Sequence, residues 1–89
     1  MMYEYMTLSD DTVIAHSDMK KDGTVKVYVE KPVEGGFHHI TCILPEYKWL
    51  DCEGFSDADV EEIKATIQNN AHLILDFSQQ GGFANASGF

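Results

Sequence analysis

The stretch that most constrains this chain is Val25-Lys26-Val27-Tyr28-Val29-Glu30, in which three valines alternate with a cation, a phenol and a carboxylate. Successive side chains of an extended strand point to opposite faces, and β-branched residues suit that backbone. The alternation therefore predicts a strand with one buried face. Such a strand is not stable alone; its valines need paired neighbours and a second layer.

The neighbours are legible on both sides. Lys21-Asp22-Gly23 separates residues 12–19 from residues 24–31, and Asp-Gly suits a type I turn whose glycine takes the left-handed position. This loop pairs Met19 with Val25, Ser17 with Val27 and Ala15 with Val29. A slip of one residue would bring His16 and Asp18 among the valines, so the pairing is expected to avoid it. Downstream, a four-residue loop from Val33 to Gly36 pairs Val29 with Ile40, Val27 with Cys42 and Val25 with Leu44. Pro45-Glu46 then turns the chain into Tyr47–Cys52, and a tight turn puts Tyr47 and Trp49 on the valine side.

Ser56 opens a helix. Ser56 and Asp59 approximate a capping box, and Asp57, Glu61 and Glu62 complement the positive helix end. Val60, Ile63, Ile67, Ala71, Ile74 and Phe77 recur at helical spacing and form one apolar stripe, ended by Gly81-Gly82. The expected fold is α+β and two-layered: an antiparallel meander of four strands over residues 12–52, with one long C-terminal helix over 56–80 packed diagonally on one face. Residues 1–10 offer a fifth strand at the edge, and residues 81–89 form a small-residue tail, flexible or docked. With 89 residues there is no room for a second core, so 1–89 is read as a single domain.

If the helix covers one face, the other meets water or a partner. The derived register places His16, Tyr28, Thr41 and Leu50 in one row there, Ile14, Glu30, His39 and Cys52 in the next, and Lys26, Ile43 and Lys48 in a third. Ile14, His16, Tyr28, Thr41, Ile43 and Leu50 are the candidate interaction residues, too apolar as a set for open solvent.

Chemistry has fewer candidates. Glu30, His39, Cys52 and His16 would be neighbours within reach of one zinc ion, but no C-x-x-C or H-E-x-x-H accompanies them, and no metal site is expected. Asp57-x-Asp59-x-Glu61 begins like a calcium loop, yet Glu62 stands where glycine is needed and Gln68 where a bidentate glutamate belongs. No nucleophile elbow, phosphate loop or dinucleotide fingerprint is present. Cys52 beside His39 is the one nucleophile–base pair, and a structural role is expected for it. The chain reads as a non-enzyme without a cofactor.

Charge narrows the partners. Fifteen acidic residues against six lysines give a net charge of −9 with no arginine, which disfavours phosphates, bases and anionic lipid. Six carboxylates (Asp51, Glu53, Asp57, Asp59, Glu61, Glu62) precede the next cation, Lys64. In size and charge the chain is similar to small acidic phage and mobile-element proteins that block nucleases, a likeness of composition alone. The first residues lack a signal-peptide pattern, no apolar run approaches the roughly 20 residues of a membrane span, and Cys42 and Cys52 read as free thiols. A cytoplasmic location is expected. The leading expectation is a small acidic, non-catalytic protein-binding module, self-associating through the outer sheet face or an edge strand. The alternative is an acidic inhibitor of a nucleic-acid enzyme acting through charge mimicry.

Overall fold

The computed structural model describes residues 2–79. They form a five-stranded antiparallel sheet in sequential order: β1 (Met2–Thr7), β2 (Val13–Ser17), β3 (Val25–Val33), β4 (Gly36–Leu44) and β5 (Lys48–Glu53). One helix, α1 (Asp57–Gln79), follows and packs on one face of the sheet. The α+β, two-layer architecture is the expected one, and the edge strand offered by the first ten residues is present as β1. The tail at 81–89 and the stop at Gly81-Gly82 lie outside the described residues.

The core is the valine side of β3 with its cross-strand partners. Val25 pairs with Leu44, Val27 with Cys42 and Val29 with Ile40, and all six are buried. Their turn is tighter than expected, because Val33 and Gly36 still pair and only Glu34-Gly35 bridges the strands. From the helix, Ile63, Ile67, Ala71 and Ile74 close the layer above. The Ser56 hydroxyl accepts the Asp59 N–H at 3.1 Å, and the Ser56 carbonyl accepts the Val60 N–H at 2.9 Å, so Ser56 caps the helix.

The β2–β3 register differs from expectation by the slip that was to be avoided. Ile14 pairs with Val29, Ala15 with Tyr28 and His16 with Val27. The physical reason has two parts. Turning Ile14 inward in place of Ala15 buries about three more carbons, on the order of 2 kcal/mol. The chain also keeps Asp18 out, since β2 stops at Ser17 and Asp18 is exposed. At that end the Ser17 hydroxyl accepts the Lys26 N–H at 3.0 Å in place of a ladder carbonyl.

A bulge falls between β4 and β5. Cys42 faces Trp49 and Ile43 faces Lys48, but Ile40 faces Cys52 and His39 faces Glu53, so Leu50 and Asp51 together stand opposite Thr41. Tyr47 and Trp49 pack against the core from the valine side, as a tight turn at Pro45 requires. In β1, Tyr5 is likewise an extra residue between Glu4 and Met6. Its hydroxyl donates to Asn70 Oδ1 at 2.7 Å, fastening the edge strand to the helix.

Near the start of α1 Lys64 lies over the Trp49 ring of β5, 5.2 Å from its centroid, and near the end Ser78 meets His16 of β2 at 3.0 Å. The Met19 N–H, just beyond β2, donates to the Ser78 carbonyl at 3.2 Å. Among the described residues no helix is long and apolar enough to cross a membrane.

Candidate functional site

The observed pairings define what the side of the sheet away from α1 presents. One row holds Met2, Ser17, Lys26, Ile43 and Lys48; the next holds Glu4, Ala15, Tyr28 and Thr41 with Leu50 and Asp51; the third holds Thr7, Val13, Glu30, His39 and Glu53. No described element packs over these rows. Tyr28, Thr41, Ile43 and Leu50 therefore occupy the face assigned to them from sequence. Ile14 and His16 do not: both point to the helix side and are fully buried, a direct consequence of the shifted β2 register.

The face is rougher than a plain solvated one. Thr41 is only 3 % exposed although no described layer covers it, because the side chains around it wall it in. Leu50, released by the bulge, is 50 % exposed. Beyond the third row, Pro32 pairs with Phe37, whose ring is 59 % exposed at the end of the hairpin. Phe37 was not among the residues picked out from sequence, though the alternation running back from Thr41 through His39 reaches it.

Tyr28 and His39 stack, with ring centroids 6.1 Å apart and planes inclined by 22°. His39 Nε2 lies 3.4 Å from Glu53 Oε2, and its Nδ1 is buried without a partner among the described residues. Desolvation, helped by the nearby Glu30 and Asp51 charges, raises the Tyr28 phenol above its ordinary range. Tyr28 thus stays a neutral hydroxyl, able both to donate and to accept. At the opposite end of the face Lys26 and Lys48 are exposed and make no ion pair among the described residues.

The four residues considered for zinc are not brought together. His16 is on the helix side, and the bulge places Cys52 opposite Ile40 rather than beside His39. The same displacement separates Cys52 from His39 as a nucleophile and base. Among the described residues no group of three or more metal-ligating side chains is gathered.

His16 has a structural assignment instead. Its Nδ1 lies 2.9 Å from the Ser17 carbonyl and 3.0 Å from the Ser78 hydroxyl. A carbonyl only accepts, and the Ser78 hydroxyl spends its proton on the Ile74 carbonyl at 2.7 Å. Nδ1 must therefore carry hydrogen, and Nε2 is left as a buried lone pair with no partner among the described residues.

The six acidic residues from Asp51 to Glu62 are all exposed. They do not share one face. At about 100° per residue, Asp57 and Glu61 lie on one side of α1, with Asp59 and Glu62 turned well away from them. Asp59 and Glu62 instead line a cavity of about 200 Å³ between α1 and the β1–β2 turn, together with Asp10, Phe55 and Ile63. Asp10 is already committed: bonds from Thr12, helped by Lys31 at 3.4 Å, hold its carboxyl below the ordinary carboxylate range. The chain matches no known protein family, no curated protein and no solved structure.

Proposed function

We propose that this chain is a small acidic, non-catalytic, cytoplasmic protein-binding module whose docking surface is the sheet face away from α1. The observation that carries the reading is the combination on that face of an apolar centre with no described layer over it (Tyr28, Ile43 and the half-exposed Leu50) with two lysines, Lys26 and Lys48, that make no ion pair among the described residues. Protein interfaces are built in this way, with aromatic and aliphatic anchors inside a charged rim. The separation of Cys52 from His39 removes the one nucleophile–base pair the sequence offered and supports a non-catalytic role.

A second reading, inhibition of a nucleic-acid enzyme through charge mimicry, is supported by the exposure of all six carboxylates between Asp51 and Glu62. It ranks below the first because the helical acids diverge around α1 instead of lining up. One comparison separates the two. Proteins captured from a lysate by the wild-type chain are compared with those captured by Leu50→Lys and by a variant with Asp57, Asp59, Glu61 and Glu62 changed to their amides. Loss with Leu50→Lys alone supports the docking face. Loss with the amide variant alone, and only at low salt, overturns it in favour of mimicry.

A further inference from the structure

We infer that the partner of the open face is a second copy of this chain, seated face to face about a two-fold axis that runs across the strands through the Tyr28–Thr41 row. The inference rests on the reading of that face as a docking surface and names its occupant.

Its basis is the way charge is distributed along the strands. Lys26 and Lys48 occupy one end row, and Glu30 and Glu53 the row at the other end of the same two strands. Two residues of strand separate neighbouring rows, about 6.6 Å, so the cationic and anionic rows stand about 13 Å apart. A two-fold axis across the strands reverses one copy end for end while keeping each strand over its counterpart. Lys26 then faces Glu30 of the second copy, Lys48 faces its Glu53, and the reciprocal pairs form by symmetry. Tyr28, Thr41, Ala15 and Leu50 meet their own equivalents near the axis, with Glu4 at the outer edge of the same row and Asp51 in the bulge meeting theirs at the rim. An axis along the strands would instead place lysine over lysine and leave all four Lys–Glu pairs unmade.

Size and packing agree with this arrangement. Five strands about 4.8 Å apart and about 20 Å long give a footprint of roughly 500 Å² per copy. The total of about 1,000 Å² lies at the lower end for a specific interface and implies a reversible dimer. Sheets packed face to face normally keep their strands roughly aligned, as here. The face also offers rigid contact groups, since Tyr28 is stacked on His39 and Thr41 is held by its neighbours.

Sedimentation equilibrium of the purified chain tests the inference. The wild type is expected to pass from monomer to dimer as concentration rises toward about 1 mM. Lys26→Glu with Lys48→Glu, and separately Glu30→Lys with Glu53→Lys, should each weaken association by about tenfold or more, and an equimolar mixture of the two should restore it. These pairs shift the net charge in opposite directions. If general repulsion between acidic chains governed association, the second pair would strengthen it, and that result overturns the proposal. A wild type that stays monomeric throughout overturns the second copy as partner, while the lysate comparison still decides whether the face docks another protein. Dimers that form but ignore both swaps overturn the two-fold register. Circular dichroism checks that each variant is folded, and Leu50→Lys, at the centre of the face and outside the charge pairs, gives an independent disruption.

Discussion

On the helix side of β3, Val25, Val27 and Val29 are sealed from solvent; on the other side of the same strand Lys26, Tyr28 and Glu30 have no layer of described residues above them. The two faces come from one alternating sequence and answer to different physics. The covered face admits the His16 imidazole with its Nδ1 bonded toward the Ser17 carbonyl and the Ser78 hydroxyl and its Nε2 without a partner among the described residues. The open face admits Ile43 and Leu50 beside lysines and glutamates, because water or a partner takes up whatever the strands leave unpaired. Folding free energy is therefore concentrated on the side that the helix covers.

The hardest test of that contrast is a cavity on the covered side. Ile67 is fully buried at the middle of α1, and Ile67→Ala is expected to cost about 2–5 kcal/mol. Urea denaturation should show a lower midpoint at unchanged slope. A loss under about 1 kcal/mol would mean that α1 does not seal the valines.

The two thiols report the same contrast without substitution. Cys42 is buried opposite Val27, and burial pushes its thiol up to about 11; Cys52 is exposed. With iodoacetamide near pH 8, Cys42 should react about 100-fold or more slowly than Cys52, the two becoming equivalent in urea. The linkage has a definite sign. A thiol that ionises near 9 when unfolded and near 11 when folded stabilises the fold fully below pH 9 and loses that contribution as the pH climbs to 11. Equal native reactivities would put water on the covered face.

The link between sheet and helix should be nearly as sensitive. Gly54 has φ of +90°, and a Cβ there would run into the His38 ring. Gly54→Ala is expected to cost about 2 kcal/mol, from strain added to collision. Gly35 has a similar φ of +85° but open space around it, so Gly35→Ala should cost about 1 kcal/mol. Thermal unfolding of the pair separates the steric part from the backbone part.

Much of this was legible along the chain, and the exceptions share a cause. The β3–β4 register follows from alternation on both strands, because on the buried face apolar meets apolar at Val25–Leu44, Val27–Cys42 and Val29–Ile40. Ser56 and the stripe from Val60 to Phe77 mark the helix for the same reason. Alternation misplaces the β2 register because it counts His16 as polar, and one of the two groups facing its Nδ1 hydrogen, Ser78, lies 62 residues away while the other is the adjacent Ser17 carbonyl. The β5 bulge was equally invisible: a strict two-residue period carries no sign that two residues will share one partner, so Cys52 was placed beside His39 where Glu53 stands. Within the candidate site, β3 and β4 supplied residues correctly and β2 did not, which is why Tyr28, Thr41 and Ile43 remain on the face and Ile14 and His16 left it.

His16 turns that misjudgement into a measurement. Replacing it with leucine removes the bond to the Ser17 carbonyl, worth about 1 kcal/mol, and also removes a buried Nε2 with no partner, a penalty of similar size or larger. His16→Leu should therefore change stability by about 1 kcal/mol or less in urea denaturation. A loss above about 3 kcal/mol would show that Nε2 has found a partner and that the polar intrusion is fully satisfied.

The smallest expected change in stability belongs to the centre of the open face. Leu50 lies in the β5 bulge, half exposed, with no described layer above it, so lysine at that position disturbs no packed core and keeps its ammonium in water. Leu50→Lys should alter unfolding by less than about 0.5 kcal/mol, equivalent to about 2–4 °C in a domain of this size. Self-association should nevertheless be lost, because near the two-fold axis the substituted lysine meets its own symmetry mate at close range and both must shed water. Stability and association would then have been separated by one side chain. A large drop in melting temperature with Leu50→Lys would instead show that the open face carries folding free energy, and the contrast between the two sides of the sheet would fail.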